Sequence, residues 1–263
     1  MSVLPYPLWT RLRRTWRFEK QYRRWQRARG HELGSRERLP HLVAEYARGK
    51  SFVDAGGMWG VDGENAFAAA RAGASRAAVL DIMAPTERFE ERRRETPIDY
   101  VRGDITDPSV AQHVGVVDVV LCAGVLYHHP SPYEVLVGLR RICGETLILR
   151  TETIPEMDLP GAAVYLPHLP PADQRRWLGM AGVASQIAVG GAFRPEVTYA
   201  NWFWLMTPSC VQGLLETAGF RVERHLEEAF SATFVATVVG PAMVHTPDAA
   251  EITVTDRHFA PLI

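Results

Sequence analysis

From Lys50 onward, short apolar runs alternate with stretches of helical periodicity, and this alternation constrains the fold more than any other feature of the chain. Ser51–Ala55, Ala77–Asp81, Ile98–Arg102, Val116–Cys122 and Thr146–Arg150 read as strands. Helices are expected over Glu64–Ala72, Thr86–Arg94 and Pro132–Ile142. Strands that are apolar on both sides and separated by helices imply a parallel sheet covered on both faces. Thr207–Pro208 then starts a helix, with Thr as N-cap and Pro in the first turn, and Gly219 stops it. Phe220–Leu226 and Thr233–Val239 follow as two strands with a tight connection, which closes the sheet with an antiparallel pair.

Two segments break the alternation. Residues 1–38 carry eleven Arg or Lys against three Glu, so a basic arm precedes a body of net negative charge. A helix is expected there from about Leu8 to Arg29, with Trp9, Leu12 and Trp16 on one side and Phe18, Tyr22 and Trp25 on the other. A helix apolar on two sides must be covered twice, by the body and by something else, and a homodimer through the arm is one solution. Residues 153–206 carry five prolines between Pro155 and Pro171 and a helical stretch at Asp173–Met180. An insertion of this length inside a compact domain reads as a lid that forms the acceptor pocket. The expected division is thus an arm at 1–45, a cofactor-binding half at 46–152, a lid at 153–206 and a closing unit at 207–263. No apolar run is long enough for a membrane span. Three scattered cysteines, Cys122, Cys143 and Cys210, make neither a disulfide set nor a metal spacing, and a cytoplasmic protein is expected.

The candidate chemistry lies at the ends of the strands. The first ends in Asp54-Ala55-Gly56-Gly57-Met58-Trp59-Gly60. Glycines at a strand-to-helix turn let the backbone approach a ligand, and the helix that follows favours anionic groups. Asp81, 21 residues after Gly60, ends the second strand, where a carboxylate can accept both hydroxyls of a ribose. Asp104 ends the third and is placed to take an adenine amino group; Ile82 and Ile105 follow the two acids as apolar contacts. Three acids on successive strand ends line one edge of the sheet. A nicotinamide oxidoreductase would carry Gly-x-Gly-x-x-Gly here, which is missing. A third class, an inert protein that keeps the cofactor fold, has Met58 as its support.

Asp54–Gly60, Asp81 and Asp104 resemble the cofactor motifs of class I S-adenosylmethionine-dependent methyltransferases. The resemblance covers roughly residues 50–152 and 207–240. It implies a doubly wound, mostly parallel seven-stranded sheet with S-adenosylmethionine as cofactor. Met58 departs from the pattern, standing where the family has its middle glycine. A closer likeness lies in Gly124-Val125-Leu126-Tyr127-His128-His129-Pro130, which is similar to the tRNA-uridine carboxymethyltransferase branch, as is Leu39-Pro40-His41-Leu42. That likeness implies that Ala123 and Tyr127 touch the cofactor and that His128 lies beside the transferring group. The branch grips a carboxylated cofactor with lysines before the first motif. This chain has only Lys20 and Lys50, neither in a matching place, so ordinary S-adenosylmethionine is expected.

A neutral imidazole can take a proton from a hydroxyl or amine near pH 7, which makes His128 the expected base, with His129 the substitute. Adjacent histidines rarely reach one ion, and no metal is expected. Glu152, after the fifth strand, and Tyr199, Trp202 and Trp204, at the end of the insertion, are the candidates for the acceptor side, whereas Phe203 suits the core. The expected reaction is methyl transfer to an oxygen or nitrogen of a small molecule. RNA modification ranks second, supported by the basic arm and opposed by the lack of a recognisable RNA-binding motif.

Overall fold

The computed structural model describes residues 38–154, 156–167, 169–170, 172–173, 201–227 and 231–243. The expected arm helix, most of the Asp173–Met180 helix, and Tyr199 lie outside the described residues. The described residues open with helix α1 (Leu39–Ala47), which the periodicity does not announce. The chain then runs β1 (Ser51–Ala55), α2 (Glu64–Arg71), β2 (Arg76–Asp81), α3 (Glu87–Glu95), β3 (Asp99–Arg102), α4 (Pro108–Val114) and β4 (Val117–Ala123). A 3-10 turn at Leu126–His128 leads into α5 (Pro132–Ile142) and β5 (Cys143–Glu152). The short strands β6 (Ala163–Tyr165) and β7 (Trp204–Met206) precede α6 (Pro208–Thr217), β8 (Phe220–Glu227) and β9 (Ser231–Val238).

The main sheet has seven strands in the order β3-β2-β1-β4-β5-β9-β8. Strands β1 to β5 pair in parallel, while β9 runs antiparallel to both β5 and β8. The alternation of side chains along each strand builds two cores. Phe52, Val79, Val119, Leu121 and Ile148 pack on one face with Leu42 and Val43 of α1, Ala66 and Phe67 of α2, and Phe89 of α3. Val53, Leu80, Val120, Leu147 and Phe234 pack on the other face with Val110 of α4, Leu136 and Leu139 of α5, and Val211 and Leu215 of α6. Truncating one such fully buried Leu costs about 2–5 kcal/mol. This is the three-layer, doubly wound arrangement of the class I methyltransferase fold, and it matches the expected sheet strand for strand.

The topology fixes where a ligand can sit. The strand order reverses between β1 and β4, and open sheets bind ligands outside the carboxyl ends at such a switch point. The described parts of the insertion gather at that edge. Ile154 N–H donates to Met206 O at 3.0 Å, so the end of β7 lies beside the chain that leaves β5, and β6 pairs antiparallel with β7. Tyr127, Ile154, Leu166, Trp202 and Leu205 form a small third core beneath this ribbon. Among the described residues no helix is long and apolar enough to cross a membrane.

Candidate active site

The turn after β1 is shaped by two close approaches. Gly56 has φ +83°, and a Cβ there would lie 2.2 Å from Val125 Cγ2. A Cβ on Gly57 would lie 2.5 Å from Asp54 Oδ2, so this glycine makes room for the carboxylate of its own strand. The loop then closes on itself, with Gly63 N–H donating to Gly57 O at 2.8 Å. Asp62, at φ 46°, holds a left-handed conformation; its carboxylate accepts from Thr86 Oγ1 at 2.8 Å, which ties the loop to the start of α3.

Met58 explains how the turn does without its middle glycine. Its side chain is fully buried in the core under α1 and α2, and its backbone N–H donates to Asp81 Oδ2 at 2.8 Å. The other oxygen, Oδ1, accepts from Met83 N–H at 2.9 Å. Asp81 is therefore 6% exposed, not the solvent-facing strand end that its position in sequence suggests. Each carboxylate oxygen has a second lone pair, so Asp81 braces the turn and can still accept from a ligand hydroxyl.

Asp54 is 1% exposed. Its Oδ2 accepts from Asn65 Nδ2 at 3.2 Å, while Oδ1 is a buried oxygen with no partner among the described residues. Burial raises its pKa to about 7, against the lowering effect of Asn65, and the charge of Asp81 pushes it further up. The third acid sits apart. Asp104 is exposed, and its Oδ1 accepts from the N–H and the hydroxyl of Thr106 at 2.9 and 2.8 Å, a local turn. Ile105 turns into the core, where its carbonyl lies against Gly138 of α5. Trp59 and Ile82 are exposed at 46% and 45%, on the two loops that flank Asp81. Gly60 sits between Trp59 and the turn's end at φ +66°.

Glycine turn, carboxylate and exposed apolar side chains form a cradle of the right chemistry for S-adenosylmethionine. Asp81 suits the ribose hydroxyls, Trp59 and Ile82 an adenine, and the Gly56–Gly57 backbone the amino-acid end. The unpartnered Asp54 Oδ1 supports the fit, because it offers an acceptor beside that backbone.

The second half of the site follows β4. Ala123, half-buried, ends the strand opposite Arg150, and Gly124 turns the chain into the 3-10 turn. Tyr127 is buried, its ring centre 4.3 Å from that of His128 and 4.3 Å from that of Trp202. Nδ1 of His128 lies 2.7 Å from the carbonyl oxygen of Asn201, and Phe203 N–H donates to Tyr127 O at 2.9 Å. Trp204 Nε1–H donates to Pro130 O at 2.9 Å. Because a carbonyl can only accept, Nδ1 carries the proton and Nε2 the lone pair. Burial lowers the His128 pKa to about 4, partly countered by the Asn201 carbonyl, so the ring is neutral across the neutral range. His129 has a different part. Its Nδ1 meets the backbone of Ser131 at 3.0 Å and shapes the entry to α5. Glu152 is half-buried where β5 leaves the sheet. Trp202 and Phe203 are both buried, and Trp204 is half-buried beside Tyr165, with ring centres 4.7 Å apart.

The structure thus brings Asp54, Gly56, Gly57 and Asp81 together, and separately Tyr127, His128 and Trp202. It leaves Asp104 in a turn of its own and His129 at a helix entry. Asn65 and the Asn201 carbonyl were not foreseen. Asn65 lies one helix away in sequence from the acid it holds, and a backbone carbonyl leaves no trace in residue type. Among the described residues no three His, Cys, Asp or Glu side chains gather where they could hold a metal ion.

Residues 58–145 match a family model described as a methyltransferase domain. No curated protein matches in sequence. Among solved structures, the N-terminal domain of EvdMO1 with SAH bound is 18% identical, covering 78% of this chain and 82% of that one, with a TM-score of 0.51. An O-methyltransferase family protein from Burkholderia thailandensis is 14% identical over 78% of this chain and 56% of its own, with a TM-score of 0.54. A putative methyltransferase from Bacillus halodurans is 14% identical over 79% of this chain and all of its own, with a TM-score of 0.53. At these identities the structural likenesses speak for the fold, and the family match speaks for the domain. With the cradle at the switch point, the family match supports an S-adenosylmethionine-dependent methyltransferase.

Proposed function

We propose that the protein transfers a methyl group to an oxygen or nitrogen of a small-molecule acceptor, with His128 as general base. The observation that carries the reading is the hydrogen bond from His128 Nδ1 to the Asn201 carbonyl, which leaves Nε2 available as a proton acceptor. S-adenosylmethionine supplies an electrophilic methyl group. Asp81, with the Gly56–Gly57 turn, Trp59 and Ile82, holds it, and Ala123 and Tyr127 border it from the β4 side. A neutral imidazole of low pKa does not ionise the acceptor beforehand. It receives the proton as the acceptor atom gains the methyl and its acidity rises, an assistance worth on the order of 10²–10⁴ in rate. Glu152, Trp202, Trp204 and Tyr199 are proposed to line the acceptor side.

RNA is the second acceptor class, favoured by the likeness of Gly124–His128 to the tRNA-uridine branch and by the basic arm. Incubation with methyl-labelled S-adenosylmethionine, a panel of phenols, amines and carboxylates, and bulk tRNA decides between them. Label in an extractable small product is expected. Label that precipitates with RNA overturns the small-molecule reading. A homodimer through the arm is tested by light scattering on the full chain and on one lacking residues 1–37.

A further inference from the structure

The loop that carries His128 is fastened along its whole length by one segment about 73 residues away. The Asn201 carbonyl accepts a hydrogen bond from His128 Nδ1–H, at 2.7 Å. Phe203 N–H donates to Tyr127 O, and Trp204 Nε1–H donates to Pro130 O, each at 2.9 Å. Between these bonds the Trp202 ring lies 4.3 Å from that of Tyr127 and edge-on to His128 at 5.5 Å. The segment is itself held on its far side. Leu166 N–H donates to Phe203 O at 2.9 Å, β6 pairs with β7, and Met206 joins the end of β5.

We propose that Asn201–Trp204 is a positioning strap for His128, which locks the imidazole in its Nδ1–H tautomer so that Nε2 is the one atom left to accept a proton. The proposal rests on the reading of His128 as base and adds the element that makes it one. Which ring nitrogen of a histidine acts is decided by the bond the other makes. Here that bond goes to a main-chain carbonyl, which accepts but never donates, so the tautomer cannot invert while the strap is seated. Tyr127 and Trp202 pack on each other and against the ring, and neither brings a charge to it. The strap belongs to the insertion, whereas His128 belongs to the sheet. An insertion displaced from the edge of the sheet therefore releases the base from its tautomer and its burial together.

The test is nitrogen NMR of the full-length protein with labelled histidine, its His128 signals assigned with His128→Gln. Wild-type His128 is expected to show a protonated Nδ1 and a bare Nε2, persisting below pH 5. Trp202→Ala is expected to give mixed tautomers and a titration midpoint at least one pH unit higher, and Trp202→Phe to restore most of the wild-type signature. A wild-type ring protonated on Nε2 overturns the strap without recourse to any variant. So does a folded Trp202→Ala in which tautomer and midpoint stay put. The underlying reading fails separately: wild-type turnover by His128→Gln removes His128 as base, whatever its tautomer.

Discussion

The two halves of the site are built in opposite ways. On the cofactor side, a run of ten residues after β1 does most of the work through its backbone, with glycines that admit close approach and two buried carboxylates that brace the turn. The side-chain hydrogen bonds described there each join residues fewer than 30 apart. On the acceptor side, the bonds that hold the His128 loop span about 73 residues, and large aromatic side chains fill the space between them. A backbone cradle can recognise one ligand common to many enzymes. An aromatic wall on an insertion can be changed without disturbing that cradle, so the reaction stays constant while its acceptor varies.

If the two halves are separable, substitutions on one side should spare the other. The largest effect is expected from His128→Ala, which lowers turnover by roughly 10²–10⁴ while calorimetry shows nearly unchanged affinity for S-adenosylmethionine. An equal loss in both would merge the halves. Next comes Trp202→Ala. Emptying a site that is 5% exposed costs about 3–5 kcal/mol of stability, read by chemical denaturation, and raises the acceptor KM. Preserved stability would mean that the ribbon does not seat on Tyr127 in solution. Asp81→Asn keeps the shape and removes the charge. It should weaken cofactor binding by about 1.5–3 kcal/mol, the scale of hydrogen bonds to a charged group, with little change in turnover at saturating cofactor. Some stability falls with it, since the bonds from Met58 and Met83 weaken as well.

The smallest effect, taken per pH unit, is a slope. Asp54 has a folded-state pKa of about 7 against 3.8 in an ordinary carboxyl, so between these values the folded protein holds a proton that the unfolded chain has released. Its contribution to stability is fully present below about pH 4 and is lost as pH rises to about 7. Asp54→Asn stays neutral throughout. The stability of the variant relative to wild type should therefore climb between pH 4 and 7, by about 1.4 kcal/mol per pH unit at most, and level off above. A flat difference in thermal melts would mean that Asp54 is ionised and partnered in solution.

Strands bounded by glycine or a charged turn were legible almost to the residue: β1 ends where its apolar run ends, and α5 spans the expected Pro132–Ile142. Strand β5 runs longer than its apolar run, from Cys143 to Glu152, because it is paired on both sides by β4 and β9. Helix α4 is too short for its periodicity to show, although Asp107 as N-cap and Pro108 after it were signals in plain view. On the cofactor side, residue types carry the information, so Asp54, the glycines and Asp81 stand out. What residue types do not carry is depth: Asp81 is buried because Met58 gives it an N–H and fills the core behind it. Sequence spacing also sets Asp104 level with the other acids, and there its Oδ1 is engaged by Thr106 in a local turn. The acceptor side is legible only as a cluster of aromatics. Its geometry depends on a carbonyl, an amide and a loop brought together by the sheet.

The place of β9 has a consequence for how the protein comes into being. It is the last strand of the sheet to leave the ribosome, yet it lies between β5 and β8, paired along seven positions with each. Until it arrives, the nascent chain displays the long apolar edge of β5, including Leu147 and Leu149, with nothing to cover its hydrogen-bonding groups. Such an edge invites pairing with other chains. Contacts that must wait for some eighty further residues also form slowly. The cofactor cradle is complete in sequence well before this point. The final hairpin therefore closes a sheet whose ligand-binding strands have already been synthesised.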